Sequence, residues 1–277
     1  MIVPSRALHA VLAARPTTLV QESVVMRNRR HAFVDGRHAF QASLLAAGVV
    51  TTGVLLPSAS ARRNAIDVLP AIVTPGMHNA APSDAVVLFS GKNTDAWTYF
   101  DGSACRWIID GDAMVVKPGS GSIISKEKFN DAQVHLEFAT PTPAQGEGQE
   151  RGNSGMYIQG RYEVQILDSF DNETYANGQC SSIYGQYEPL VNASRKPGEW
   201  QSYDVIFHAP KFDESGKKIA PGTITVLHNG VLTQDHVELK GVTGGNLSEE
   251  SAQPGPLMLQ DHGNTMRFRN IWFRPLK

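Results

Sequence analysis

The chain has 277 residues, 41% hydrophobic and 19% charged, with 25 Gly and 16 Pro. That length suffices for a large buried core, while low charge and many turn formers favour an all-β protein and argue against a coiled coil or a disordered tail. The net charge of −2 divides into +4 over residues 1–61 and −6 over the rest, which leaves no basic stripe for phosphates and argues against a nucleic-acid partner.

Arg27, Arg29, Arg30 and Arg37 precede an apolar run from Ala42 to Leu56, and Pro57-Ser-Ala-Ser-Ala61 follows. This order of basic region, hydrophobic region and Ala-x-Ala is that of a secretory signal over 1–61. The apolar run is shorter than the roughly 20 residues a bilayer span needs. The expectation is therefore a cleaved leader, a periplasmic or secreted protein and no stable membrane span. Met26 is an alternative start, because so long a basic region is unusual for a signal. Residues 62–83, with Pro70, Pro75, Gly76 and Pro82, read as a linker before a domain at 84–277.

From there, short strand-like segments alternate with turn residues. Strands are expected near 85–89, 105–109, 112–117, 121–125, 132–139, 154–159, 161–168, 201–208, 222–228, 231–238, 256–260 and 266–274. Such spacing suggests a sandwich or barrel. Asp110-Gly111 and Asn229-Gly230 suit two-residue hairpin turns, since both tolerate positive φ. In Arg161–Asp168, Tyr162, Val164 and Ile166 share one face, and Arg161, Glu163 and Gln165 the other. In Met266–Phe273, Met266, Phe268 and Trp272 share a face opposite Arg267 and Arg269. The segment 140–152 reads as a flexible loop standing before the polar strands.

Polar side chains gather in Asn153–Asp168, Tyr184–Trp200 and Gln260–Asn270. The first holds Tyr157, Gln159, Arg161, Glu163, Gln165 and Asp168; the third holds Gln260, Asp261, His262 and Arg267. One shared cleft would explain them, as would a hydrated outer sheet surface. Trp97, Trp107, Trp200 and Tyr157 could stack on sugar rings or belong to the core. Cys105 and Cys180 have no metal-ligand spacing and read as two thiols, with a disulfide open to an exported chain.

Four ordered motifs carry a resemblance: Leu88–Trp97 (LFSGKNTDAW), Gly152–Ser169 (GNSGMYIQGRYEVQILDS), Gly198–Asp204 (GEWQSYD) and Gly255–Gly263 (GPLMLQDHG). Together they resemble the 3-keto-disaccharide hydrolase family, over roughly residues 84–277. The resemblance implies a concanavalin-like jelly-roll sandwich, usually exported. It also implies action on glycosides whose C3 hydroxyl has become a ketone, by hydrolysis or by 1,2-elimination and hydration.

A C3 ketone acidifies the C2 proton, so a base can remove it and the enolate can expel the C1 substituent. Such a site needs a base, an enolate stabiliser and an acid. Glu163 or His262 could be the base. Arg161, Arg267 or a bound cation could hold the enolate. Asp168, Asp261 or His262 could be the acid. Tyr157, Gln159, Gln165 and Gln260 complete the expected substrate contacts. This proposal requires Glu163 and His262 to share one hollow. A calcium or other divalent ion could bind the oxygen-rich Asp168–Glu173 loop, although a solvated turn explains it as well. Two other readings stand beside the 3-keto one. The first is a non-catalytic lectin-like or laminin-G-like binding module. The second is a glucanase using Glu163 and Asp168, whose odd separation puts them on opposite faces.

Overall fold

Strict alternation of apolar and polar side chains gives each sheet one face for a core and one for solvent. The computed structural model describes residues 69–277, and it resolves this alternation into fifteen strands. They are β1 (Val86–Phe89), β2 (Trp97–Thr98), β3 (Ile108–Asp110), β4 (Ala113–Val115), β5 (Ile123–Phe129), β6 (Ala132–Ala139), β7 (Ser154–Ile158) and β8 (Tyr162–Ile166). The rest are β9 (Gln201–His208), β10 (Lys211–Phe212), β11 (Lys218–Ala220), β12 (Thr223–His228), β13 (Val231–Glu238), β14 (Gly255–Leu259) and β15 (Arg267–Pro275). The expected leader and its alternative start lie outside the described residues.

One sheet has eight strands in the order β13-β12-β9-β6-β15-β4-β3, with β1 also on β15; the other has five, β2-β5-β14-β7-β8. β10 and β11 form a separate ribbon. The pairings are antiparallel. Leu136, Phe138, Tyr203, Val205 and Phe207 of the large sheet meet Ile158, Tyr162, Val164, Ile166 and Leu259 of the small one in a common core. Each such side chain stabilises the fold by roughly 1.5–3 kcal/mol on leaving water. This is the concanavalin-like jelly-roll sandwich.

Local chemistry sets the turns. Asn229 (φ 53°) and Gly230 (φ 79°) form the two-residue turn between His228 and Val231. At the other expected hairpin Asp110 pairs with Ala113, so the turn is Gly111-Asp112, one residue later than expected. β2, β10 and β11 are too short to show periodicity in the sequence.

The last strand corrects the expected facing. Opposite β6, Arg269 pairs with Glu137 and Trp272 with His135, so β15 carries one extra residue in a bulge. Asn270 sits there at φ 48°. Met266, Phe268, Ile271 and Phe273 enter the core, while Trp272 turns outward to stack on His135, ring centroids 5.1 Å apart. Of the expected linker, residues 69–83 form no strand, and the Asn79 carbonyl accepts bonds from Asn270 (2.9 Å) and Trp272 (3.2 Å). Cys105 and Cys180 are both free, so the open disulfide is not formed.

Candidate functional site

The polar face of the β7–β8 hairpin lies on the outside of the small sheet. Tyr157 pairs directly with Glu163, and Gly155 with Gln165. Gly155 has no side chain for a reason: a Cβ there would lie 2.3 Å from Glu163 Oε1 and 2.8 Å from the Tyr157 ring. The bare backbone is the seat across which the Glu163 carboxyl folds. β14 lies on the far side of β7, and the Gln260 amide N–H just beyond it donates to the Gly155 carbonyl at 3.0 Å. The Gln260 side-chain amide then reaches the Tyr157 hydroxyl at 3.3 Å.

Three loops wall this face. Thr243 Oγ1 accepts the Glu163 backbone N–H at 3.1 Å, and Tyr157 donates its hydroxyl proton to the Gly244 carbonyl at 3.0 Å. From the second loop, the Tyr184 N–H donates to the Glu163 carbonyl at 3.1 Å, and the hydroxyls of Tyr175 and Tyr184 meet. From the third, Gln149 Oε1 accepts from Gln165 at 3.0 Å, and the Gln149 carbonyl accepts from Asn153 at 2.7 Å. The segment expected to be a flexible loop thus contributes a wall, through a short 3-10 turn at Gly148–Glu150.

Burial governs the electrostatics. Glu163 is only 4% exposed, so it lies beneath the loops rather than in an open groove. Loss of water pushes its carboxyl from the usual 4.5 up to about 8. Burial and the Glu163 charge together push the Tyr157 hydroxyl up as well. The carboxyl is therefore poised to exchange a proton near neutral pH. Around it, the side-chain carbonyls of Gln165, Gln179 and Gln260 are buried without a protein donor. Acceptors left in this state call for a ligand or water that can donate.

Of the residues expected at the site, the structure gathers Tyr157, Glu163, Gln165 and Gln260. His262 is exposed, two residues past Gln260 on the loop leading to β15. Asp261 fixes that loop, accepting the Gly121 N–H at 2.9 Å and the Gly263 N–H at 3.0 Å, and so acts in structure rather than as the acid.

Further expectations are corrected. Asp168 is sealed in an ion pair with Arg151 at 2.8 Å, so it is not free to be an acid or the second carboxylate of a glucanase. Arg161 points its guanidinium at Ser248, Ser251, Gln253 and Gln159, where it fastens the 243–253 loop instead of facing an enolate. Gln159 donates to the Phe129 carbonyl at 2.8 Å and belongs to that same clamp. Arg267 lies on the other sheet, paired with Asp110 at 3.2 Å. Trp97 and Trp107 are core residues, which removes them as sugar platforms.

In the loop considered for calcium, Asp168 is held by Arg151, while Asn172 exchanges bonds with Gly148 at 2.8 and 3.0 Å. Among the described residues no three His, Cys, Asp or Glu side chains converge as a ligand set. Sequence reasoning missed Tyr175, Gln149 and the Thr243–Gly245 wall. Nothing local marks them, because their role comes from loops folding over a distant hairpin.

No curated protein matches the chain. A solved structure from Parabacteroides distasonis ATCC 8503, provisionally called a glycosyl hydrolase, is 46% identical, with 75% of this chain and 92% of that one covered and a TM-score of 0.71. A second structure from that organism, under the same provisional name, is 17% identical, with 70% and 94% covered and a TM-score of 0.52, a likeness of fold alone. No helix among the described residues is long and apolar enough to cross a membrane. The model of the 3-keto-α-glucoside-1,2-lyase-like domain matches residues 84–274, a span that takes in the hairpin and the Gln260 loop, and on that match the chain belongs to this family.

Proposed function

We propose that the protein is a carbohydrate-active enzyme that cleaves 3-keto-glycosides by 1,2-elimination, with Glu163 as the base. The observation that carries this is the buried Glu163 carboxyl on its Gly155 seat, raised to about 8. In its ionised form Glu163 takes the C2 proton. The C–H electron pair moves toward C3 and the ketone oxygen becomes an enolate. The enolate then re-forms the ketone, a C1–C2 double bond forms, and the C1–O bond breaks. Water added later at C1 gives the product of net hydrolysis.

The supporting roles in this reading go to groups left free of other partners. Arg161 and Arg267 are engaged elsewhere, so the enolate oxygen falls to the Tyr175–Tyr184 pair. Of their two hydroxyl protons one bridges the pair, and the other is free for a substrate oxygen. The buried carbonyls of Gln165 and Gln260 accept sugar hydroxyls. His262, exposed two residues past Gln260, is assigned the protonation of the leaving oxygen. Substrate enters past the partly exposed Gln260 and Tyr184. The order of basic, apolar and Ala-x-Ala segments in residues 1–61 supports action in the periplasm or outside the cell.

Incubation with 3-keto-trehalose or a 3-keto-glucoside, beside the unoxidised sugars, tests the reading. Cleavage of only the oxidised sugars is expected. Cleavage of plain glucan, or binding without turnover, overturns it.

A further inference from the structure

A second polar cluster lies on the opposite side of the sandwich, on the outer face of the large sheet, and takes no part in the chemistry above. Trp200 immediately precedes β9 and is partly exposed. Two guanidinium groups lie over its indole, Arg269 at 4.1 Å and Arg267 at 5.6 Å from the ring centroid. Arg269 is itself held by Glu137 (2.7 Å) and Asp112 (3.0 Å). Arg195 donates to the Trp200 carbonyl at 2.8 Å.

Two cavities flank this arrangement, of ≈ 370 Å³ and ≈ 400 Å³, and share His78, Glu137 and Arg269 in their walls. Each is within the size range of small-ligand sites. Trp200, Arg195 and Ser202 line the first. Gln201 lines it too. Its side chain turns to the core side of β9 with Tyr203, where its carbonyl accepts from Arg195, His228 and Asn229.

The chemistry of the lining selects the ligand. Arg269 is held between Glu137 and Asp112, so a phosphate or a uronate brought to it would meet two carboxylates. A purely apolar ligand would leave the guanidinium, amide and hydroxyl groups without partners. A neutral pyranose satisfies both demands, with one flat C–H face for the indole and a rim of hydroxyls for planar donors and acceptors.

We propose that this face is a second, non-catalytic carbohydrate site, in which a neutral oligosaccharide stacks on Trp200. The core separates it from Glu163, so it does not depend on the reaction assigned there.

Isothermal calorimetry on the full chain with unoxidised maltotetraose, cellotetraose and xylotetraose tests it. At least one should titrate the native protein, and Trp200→Ala should weaken it about tenfold, the loss of one stacked aromatic face. Ser202→Tyr keeps Trp200 and fills the neighbouring cavity, and it should also weaken binding, with circular dichroism unchanged. Glu163→Gln should bind as the native protein does. The proposal is overturned if none of the three sugars titrates, if Ser202→Tyr binds undiminished, or if Glu163→Gln abolishes the binding.

Discussion

Tyr157 and Glu163 are opposite partners in the β7–β8 ladder, and burial beneath shared loops pushes both side chains toward their protonated forms. Tyr157 spends its proton on the Gly244 carbonyl, which ties the wall of the site to its floor. A strand pair that would otherwise be a solvated sheet face thus holds a carboxyl with a proton affinity near neutrality.

Glu163→Gln removes the base and keeps the shape. Turnover of a 3-keto-glucoside should fall by about 10²–10⁴-fold. In the native enzyme kcat/KM should rise with pH through about 8, because only the ionised carboxyl abstracts a proton. A profile that falls through that value would make Glu163 an acid instead.

The same carboxyl links stability to pH. Its folded value of about 8 exceeds its usual 4.5, so its stabilising contribution is complete below 4.5 and is lost as pH rises through about 8. Relative to Glu163→Gln, the native protein should therefore lose stability over that window, by on the order of 5 kcal/mol in all. Paired denaturant titrations at pH 4 and pH 9 measure this, and a constant difference between the two proteins contradicts it.

Gly155→Ala places a methyl group on the seat of the carboxyl, 2.3 Å from Oε1. The side chain must move, and a displacement on the order of 1 Å can cost about 10²-fold in rate. The expected signature is lost kcat with circular dichroism preserved and with the pH midpoint shifted downward as the carboxyl regains water.

Arg161→Ala unfastens the 243–253 loop by removing a guanidinium that makes bonds to Ser248, Ser251 and Gln253. Hydrogen bonds to a charged group are worth about 1.5–3 kcal/mol each in isolation, and they are not additive. Faster proteolysis within 243–253 and a raised KM are expected, with residual kcat. Arg161→Lys should not restore the loop, since one ammonium cannot span those partners. Complete loss of kcat at unchanged KM would place Arg161 in the chemistry after all.

Asp168→Asn breaks the buried pair with Arg151. Removing one partner of such a pair typically costs about 3–5 kcal/mol. Thermal unfolding should come several degrees earlier, while turnover per folded molecule is retained. A normal melting temperature with abolished turnover would return Asp168 to a catalytic role.

The fold was legible where chemistry is local. Alternation in β8 put Tyr162, Val164 and Ile166 on one face, which is the core face, and Asn229-Gly230 marked a hairpin. β15 was misread at a single point. Asn270 in a left-handed conformation adds one residue to the ladder, and a one-residue shift exchanges the faces of everything after it. Asparagine permits that conformation without demanding it, so only pairing with β6 reveals the bulge.

The candidate site divides in the same way. Strand period alone determined that Glu163 and Gln165 share an outward face, because side chains on one strand alternate whatever the rest of the molecule does. Which charged residues were free for chemistry was decided only by tertiary structure. Arg161, Asp168 and Arg267 look like reactive groups in one dimension, yet each finds a partner contributed by another segment: the 248–253 loop, Arg151 and Asp110. Buried charges such as Arg161 and Asp168 must be hydrogen-bonded or paired by whatever the fold brings beside them, and those neighbours lie elsewhere in the chain.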